Sequence, residues 1–512
     1  MPSSLPSHWL RGVAVNPAAP ADVLLRLLDP AAGEARTVLC RDRDLPAEVV
    51  DAIVAHPDWK VRRVFAHNRR VDPARLRPLV HDPSAMVRAW LAGGPRPHAR
   101  KARPLPDDMV EALLTAQDED GHDGMLTAAE IGWEVFSSRQ IAPSFSRRWP
   151  LHENPALRKL GTGSWRELAP EQRAALLADP DPAVREAAHR QNRTLDPAAM
   201  EAELPERDCH HRAVLLTNYA VSRTVVEACF ADGRNLYGLA CNRHTPADAV
   251  ARLARNAAPE VRERVAARAD LDAALLAELA EDPDERVRLR ARVQPLPRTW
   301  AQCGAVDAVV PHGDDCDCDC PIFEPYEGVD PDWYAACARS EEVVLRKVAA
   351  GHPHLPVDLV RLLAGDPDPA VRHRLAVHHP LAPPELLLDA FLARPGQRPY
   401  LLTLPALPRT GLARLLDHVD ADVRALAAAD PTLPEPPVRL LADPEEQVRR
   451  AAAANPVFPA GALDALLDDP RTAEGAAANP NLPAARLHRL LDLSGLPGLP
   501  GGSRRSSGPG RS

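Results

Sequence analysis

The sequence has few aromatic residues, since phenylalanine, tyrosine and tryptophan make up only 4% of its 512 residues. Alanine, leucine and valine must therefore supply most of any core, and the 45% share of apolar residues permits this. No stretch reaches the roughly 18 consecutive apolar residues that a membrane-spanning helix needs, so no membrane partner is expected. The N-terminal segment lacks a basic start followed by an apolar run, so we predict no signal peptide.

Lysine is also scarce, because only four of the 62 basic residues are lysines, a bias typical of GC-rich bacterial genomes. The net charge of −9 disfavours a general attraction of the surface to nucleic acid or anionic lipid. The nine cysteines form no evident disulfide framework. Together with the missing export signal, this pattern predicts a cytoplasmic protein.

Signatures of enzyme active sites are missing as well. The sequence contains no glycine-rich phosphate loop, G-x-S-x-G nucleophile motif, H-E-x-x-H motif or kinase signature. The histidines are scattered, and His352 and His378 stand where other repeats carry asparagine. We interpret them as helix-ending residues and expect that the protein is not an enzyme.

What the sequence does contain is a repeat with a period of 26 residues, which suits a chain too long for one compact core. The phrase D-P-x-x-x-V-R occurs five times, and degenerate copies keep the same register. The residues that open and close the five phrases are Asp82 and Arg88, Asp179 and Arg185, Asp282 and Arg288, Asp366 and Arg372, and Asp443 and Arg449. A second phrase, with asparagine, proline and a leucine pattern, follows each of them.

Each phrase predicts a short helix. Aspartate before proline is a helix start, because the carboxylate caps free N–H groups and proline suits the first helical position. Asparagine before proline ends a helix. Leu359, Leu362 and Leu363 form an apolar stripe with i, i+3, i+4 spacing. A two-helix unit cannot bury such a stripe alone, so the units must stack into an all-α solenoid.

The combined phrase D-P-D-x-x-V-R-x-x-V-A-x-N-P-x-L-P-x-x-L-L-x-x-L-L resembles the leucine-rich repeat variant family, which is HEAT-like in style. The resemblance implies a right-handed α-solenoid of alternating α- and 3₁₀-helices. Breaks in the 26-residue period, between Arg88 and Arg185 and between Arg288 and Arg346, indicate two insertions. The expected segments are N-terminal repeats (9–94), an insertion with a helix–loop–helix (95–164), central repeats (165–292), a Cys/Asp-rich insertion (293–335), C-terminal repeats (336–492) and a disordered tail (493–512).

The first insertion contains the acidic stretch DEDGHDGMLTAAE between two helical patterns. Its spacing is similar to that of a calcium-binding helix–loop–helix, with one extra residue. The calcium ligands in this interpretation are Asp118, Asp120, Asp123 and Glu130, with a glycine at 124. The alternative is an acidic turn without an ion.

The second insertion contains four cysteines that the repeat pattern does not explain, Cys303, Cys316, Cys318 and Cys320. Four thiolates can hold a structural zinc ion or an iron–sulfur cluster, and His312 is a substitute ligand. The resembled family includes members with a cysteine-ligated iron–sulfur domain ahead of their repeats. The alternative is an exposed acidic loop with reduced thiols.

The arginine at a fixed position in each unit allows two interpretations. A row of guanidinium groups can track the phosphates of a nucleic acid, or each arginine can pair with the capping aspartate of its own or an adjacent unit. The matching number of aspartates and the negative net charge favour ion pairs. We therefore expect an interaction scaffold for a protein or peptide partner. The alternatives are a zinc or iron–sulfur sensor or redox protein, and nucleic-acid binding through the arginine row.

Overall fold

The protein is all-helical within the part that the computed structural model describes, and no strand is present there. The described residues are 4–41, 43–95, 103–116, 126–138, 140–293, 297–310 and 330–498. The predicted class, an all-α helical-repeat protein, is therefore confirmed, while the handedness of its stacking stays a prediction. None of the described helices has both the length and the apolar character needed to cross a bilayer.

The helices are short and follow one another closely along the chain. Up to residue 146 they are α1 (Leu5–Val15), α2 (Ala21–Arg26), α3 (Glu34–Arg41), α4 (Ala47–Val54), α5 (Trp59–Ala66), α6 (Ala85–Gly93), α7 (Asp107–Thr115), α8 (Ala128–Ser138) and α9 (Pro143–Ser146). Between residues 147 and 407 they are α10 (Pro155–Gly161), α11 (Pro170–Leu177), α12 (Pro182–Arg193), α13 (Pro197–Glu203), α14 (His210–Asn218), α15 (Arg223–Asp232), α16 (Leu236–Cys241), α17 (Ala247–Leu253), α18 (Pro259–Ala266), α19 (Ala273–Leu279), α20 (Glu285–Arg292), α21 (Trp300–Asp307), α22 (Pro331–Ala338), α23 (Val343–Ala350), α24 (Val357–Ala364), α25 (Pro369–His378), α26 (Pro384–Ala393) and α27 (Arg398–Leu401).

The last stretch of the chain continues in the same style. Its α-helices are α28 (Ala421–Ala428), α29 (Glu446–Ala453), α30 (Ala460–Asp468), α31 (Ala473–Ala477) and α32 (Ala484–Leu493). Short 3₁₀ helices lie at Pro30–Ala32, Pro73–His81, Trp149–Leu151, Thr162–Ser164, Pro395–Gln397, Ala413–Leu415 and Val438–Ala442. The predicted mixture of α- and 3₁₀-helices is thus confirmed.

The chain divides into two compact units. The first unit comprises Met1–Ser146 and Pro408–Ser512, and the second comprises Arg147–Leu407. The repeats at the two ends of the chain therefore belong to one unit, which is a grouping that the order of segments along the sequence does not predict.

The first helix of a unit begins at the second polar residue of the phrase rather than at the first aspartate. In α12, Asp181 accepts hydrogen bonds from the N–H groups of Ala183 and Val184, and Pro182 occupies the first helical position. Helix α25 begins in the same way after Asp368. The cap predicted at the first aspartate of each phrase is therefore wrong, because that residue lies two positions before the cap and its carboxylate is used elsewhere.

The second helix of a unit buries a narrow apolar stripe. In α24 the buried residues are Leu359, Val360 and Leu363, whereas Leu362 is 50% exposed. The stripe predicted from the leucines is wrong at Leu362, because α24 turns its i, i+1, i+4 face to the core. The corresponding element at Pro73–His81 is a 3₁₀ helix.

Parts of the expected insertions belong to the repeat stack. Helix α10 lies inside the first expected insertion (95–164), yet Arg158 makes the same contact to Asp179 that arginines of regular units make. In the second (293–335), Ala305 and Val306 of α21 lie in one apolar cluster with α22 and α23. The expected disordered tail (493–512) also begins in the core, because Leu496 is buried, while residues 499–512 lie outside the described part.

Candidate functional site

Side-chain donors, which are buried except for the half-buried Arg43, connect many repeats to the repeat before them in the stack. The Nδ2 of Asn242 donates to the carbonyl oxygens of Leu216 (2.8 Å) and Tyr219 (2.7 Å), and its Oδ1 accepts from the N–H of His244. These bonds satisfy carbonyl groups that the end of the preceding helix leaves open. We call such side chains carbonyl rungs. They are Asn16, Arg43, Asn68, Gln140, Asn242, Arg268, Arg298, Asn455 and Asn479.

In the compact unit formed by residues 1–146 and 408–512, one carbonyl rung joins the two ends of the chain. The Nδ2 of Asn16 donates to the carbonyl oxygens of Ala477 (2.9 Å) and Asn479 (2.7 Å), 461 and 463 residues away. Arg11 also pairs with Glu474 at 2.6 Å. Helix α1 therefore packs on α31 in the place that the next repeat of the stack would take.

Histidine replaces the asparagine in two neighbouring units. The Nδ1 of His352 accepts from the N–H of His354, and the Nδ1 of His379 accepts from the N–H of Leu381. The assignment of His378 to this position is therefore wrong by one residue. Burial lowers the pKa of His352 to about 4, so this histidine is neutral at pH 7.

Arginine–aspartate pairs form a second kind of connection between consecutive units. The Nε and Nη2 of Arg262 donate to the two carboxylate oxygens of Asp282 at 2.7 and 3.0 Å, while its Nη1 donates to the carbonyl oxygens of Asn256 and Ala257. The aspartate always comes from the unit that follows the arginine. We call these bidentate pairs ion-pair rungs. They are Arg62–Asp82, Arg158–Asp179, Arg262–Asp282, Arg346–Asp366 and Arg424–Asp443.

The arginines that close the five phrases behave differently from those in the ion-pair rungs. Each donates from Nη1 to the carbonyl oxygen of the aspartate that opens its own phrase, and none forms an ion pair with a described residue. We call these arginines open rungs. They are Arg88, Arg185, Arg288, Arg372 and Arg449. The repeat arginines thus fall into two groups, those of the ion-pair rungs and the open rungs. The repeat phrase alone does not distinguish the two groups.

The ion-pair rungs hold their charges in a largely buried setting. The hydrogen bond from Arg262 lowers the pKa of the Asp282 carboxyl, and the same bond raises the pKa of the Arg262 guanidinium. Arginine likewise lowers the pKa of Asp179 and Asp443. In these pairs, the guanidinium edge that would contact a nucleic-acid phosphate is occupied by a carboxylate.

One open rung, Arg372, lines a groove of about 480 Å³. The groove lies between α25 and α26 and is bounded by the residues that follow α26, so we call it the α25–α26 groove. Leu386 lines its apolar part, and Asp389 and Arg394 line it together with Arg372. None of these three charged side chains forms an ion pair within the described part of the chain.

The groove coincides with a change in the repeat phrase. The aspartate of every ion-pair rung precedes a proline and stands six residues before the next arginine of the repeat, and at the corresponding distance before Arg398 the chain carries Leu392-Ala393. The next helix, α27, has four residues, whereas α25 has ten and α28 has eight. The carboxylate that would close the Arg372 rung is therefore replaced by a leucine side chain, Arg394 stands where Asp368 caps α25, and the helix that would follow is short.

The predicted metal ligands are only partly within the described residues. Cys303 lies in α21 and is buried, and burial raises the pKa of its thiol. Cys316, Cys318, Cys320 and His312 lie outside the described residues. Within the described part, no cluster of three or more histidine, cysteine or acidic side chains could hold a metal ion. The zinc or iron–sulfur site stays a prediction.

The predicted calcium site also lies mostly outside the described residues and stays a prediction. Asp118, Asp120 and Asp123 lie outside the described residues, between α7 and α8. Glu130 is described, and its carboxylate accepts hydrogen bonds from the N–H and hydroxyl groups of Thr127 at the start of α8. This bonding is typical of a helix N-terminus, whether or not the loop holds an ion.

No protein-family model matches the chain, and no curated protein matches it either. The likeness to the leucine-rich repeat variant family rests on the repeat phrases and stays a prediction. Sequence reasoning missed the α25–α26 groove, and the signal that could have found it is Leu392-Ala393 in the place of Asp-Pro, six residues before Arg398.

Proposed function

We propose that this protein is a non-enzymatic helical-repeat scaffold that binds a protein partner. The observation that carries the proposal is the α25–α26 groove. Its volume of about 480 Å³ can hold a few side chains of a partner, and it combines apolar side chains with charged residues that form no ion pair with any described residue. Stacked repeats offer such surfaces over several units.

Exposed apolar side chains near the groove in sequence support this proposal. Val357 and Leu362 on α24 are 47% and 50% exposed, and Leu381, just before α26, is 59% exposed. Exposed apolar residues that form one patch are typical of a surface that meets a partner, and we propose that these three residues form such a patch. The occupied guanidinium edges of the ion-pair rungs favour this function over nucleic-acid binding.

Site-specific photo-crosslinking tests the proposal. A photoreactive amino acid is placed at Ala393, which lines the groove, or at Val419, which is 91% exposed and serves as the matched control. We expect a discrete protein adduct at position 393 and none at position 419 in a lysate of the native host. The captured protein, once purified, should bind the wild-type chain and lose affinity for the Leu386→Arg variant. Equal binding to both would contradict the proposal.

A further inference from the structure

We propose that the α25–α26 groove binds an acidic segment of the partner, with a carboxylate of that segment on the guanidinium of Arg372. This inference rests on the proposed function and names the chemistry of the partner. It follows from a comparison of Arg372 with the arginines of the ion-pair rungs.

Arg372 is held in the same way as an arginine of an ion-pair rung. In the preceding rung, the Nη1 of Arg346 donates to the carbonyl oxygens of Ser340 (3.1 Å) and Glu341 (2.8 Å). The Nη1 of Arg372 donates to the corresponding carbonyl oxygens of Asp366 and Pro367. The guanidinium is therefore already oriented, and its Nε–Nη2 edge has no partner among the described residues. This is the edge that binds both carboxylate oxygens in a rung.

The charges around this edge favour an anion from outside the chain. The position of the missing aspartate carries Leu392, and the groove lining contains two arginines, Arg372 and Arg394, but one acidic residue, Asp389. Asp389 is exposed and forms no ion pair with either arginine. An excess of guanidinium groups over carboxylates in one groove favours the binding of a carboxylate from outside.

The apolar part of the groove indicates what accompanies the carboxylate. In all five ion-pair rungs, the aspartate precedes a proline. Leu386, Ala390 and Pro395 supply apolar surface within the groove, where a proline ring of a ligand can pack. An Asp-Pro sequence in an extended acidic segment therefore reproduces the part that this unit lacks.

A peptide that copies a rung of the protein itself is the probe for this inference. The fluorescently labelled peptide LAGDPDPAV, which is the sequence of residues 363–371, is titrated with the full chain, and binding is followed by fluorescence anisotropy. The matched peptide replaces its first Asp by Asn. We expect the Asp peptide to bind about tenfold or more tightly than the Asn peptide, because a charge-assisted bidentate contact is lost in the latter.

Three variants locate the binding site. Arg372→Gln should weaken binding of the Asp peptide about tenfold or more, whereas Arg449→Gln should leave it unchanged, because the Nε of Arg449 is buried. Leu392→Asp should also weaken binding, because the new carboxylate stands at the position of a rung aspartate and closes the rung from within. The same variant should raise the melting temperature by about 2 °C or more, and Leu392→Asn should not.

Equal affinity for the Asp and Asn peptides, or unchanged binding by Arg372→Gln, would overturn the inference. Complete displacement of the peptide by inorganic phosphate at a concentration near the peptide's own dissociation constant would also overturn it, since the site would then be a phosphate site. Crosslinking at Ala393 to a protein that binds without an acidic segment would contradict this inference alone. Absence of any adduct at Ala393 would contradict the proposed function.

Discussion

Each arginine of an ion-pair rung is held by two sets of contacts. In Arg262, the Nη1 group bonds to backbone carbonyls of its own unit, and the Nε–Nη2 edge bonds to Asp282 of the next unit. The pair is largely buried, so removing one partner leaves the other as an uncompensated charge. From the sequence, the Asp and Arg positions and the preference for ion pairs could be inferred. The partner of each arginine could not, because the offset of about 20 residues between them depends on how the units stack.

Breaking one ion-pair rung should therefore cost more than removing an open rung. We expect Arg262→Ala to lower the free energy of unfolding by about 3 kcal/mol, because it leaves Asp282 buried and unbalanced. Arg288→Ala, the matched control, removes only hydrogen bonds to carbonyl oxygens and should cost about 1 kcal/mol. Urea unfolding measures both free energies. Equal losses of unfolding free energy would contradict the distinction between ion-pair rungs and open rungs.

The ion-pair rungs also predict how stability depends on pH. The pKa values of Asp179, Asp282 and Asp443 are lowered in the folded protein. The stability that they contribute is therefore fully present above the ordinary carboxyl pKa of about 4 and is lost as the pH falls through their lowered pKa values. We expect the melting temperature to fall steeply below about pH 4, and less steeply in Asp282→Asn. An identical pH profile for that variant would show that the pair is not responsible.

The helices pack closely because small residues stand where two helices meet. Gly475 in α31 faces α29, and a Cβ atom at this position would lie 2.8 Å from the Cβ of Ala453. The sequence predicted the helical elements and their small residues, since both follow from local periodicity. The sequence could not predict which face of a helix packs against the core, as Leu362 shows, because that depends on the neighbouring repeat.

A larger side chain at this contact should force the two helices apart. We expect Gly475→Val to lower the free energy of unfolding by about 2 kcal/mol, since its side chain would overlap with the α29 backbone at Arg450. Gly461→Ala in α30 is the control, because nothing lies within 4 Å of its added Cβ and alanine favours a helix. Chemical denaturation of both variants measures the difference. A Gly475→Val protein as stable as the control would contradict the close approach.

At the scale of the whole molecule, the main finding is that the first described repeats stack on the last ones within one unit. Asn16 acts as the carbonyl rung between them, and Arg11 pairs with Glu474. The repeat phrases predicted that units stack, but they are alike at both ends of the chain and give no sign of which units are neighbours. The groove escaped prediction for the same reason, because an open rung is recognised only when the neighbouring unit is known.

A double-mutant cycle on Arg11 and Glu474 tests this stacking most directly. The free energy of unfolding is measured for Arg11→Ala, Glu474→Ala and the double variant, with the exposed pair Arg190 and Glu186 of α12 as the control cycle. We predict a coupling energy of about 1 kcal/mol or more between Arg11 and Glu474, and about 0.3–0.5 kcal/mol in the control. A coupling energy of zero between Arg11 and Glu474 would contradict the claim that the two ends of the chain form consecutive repeats.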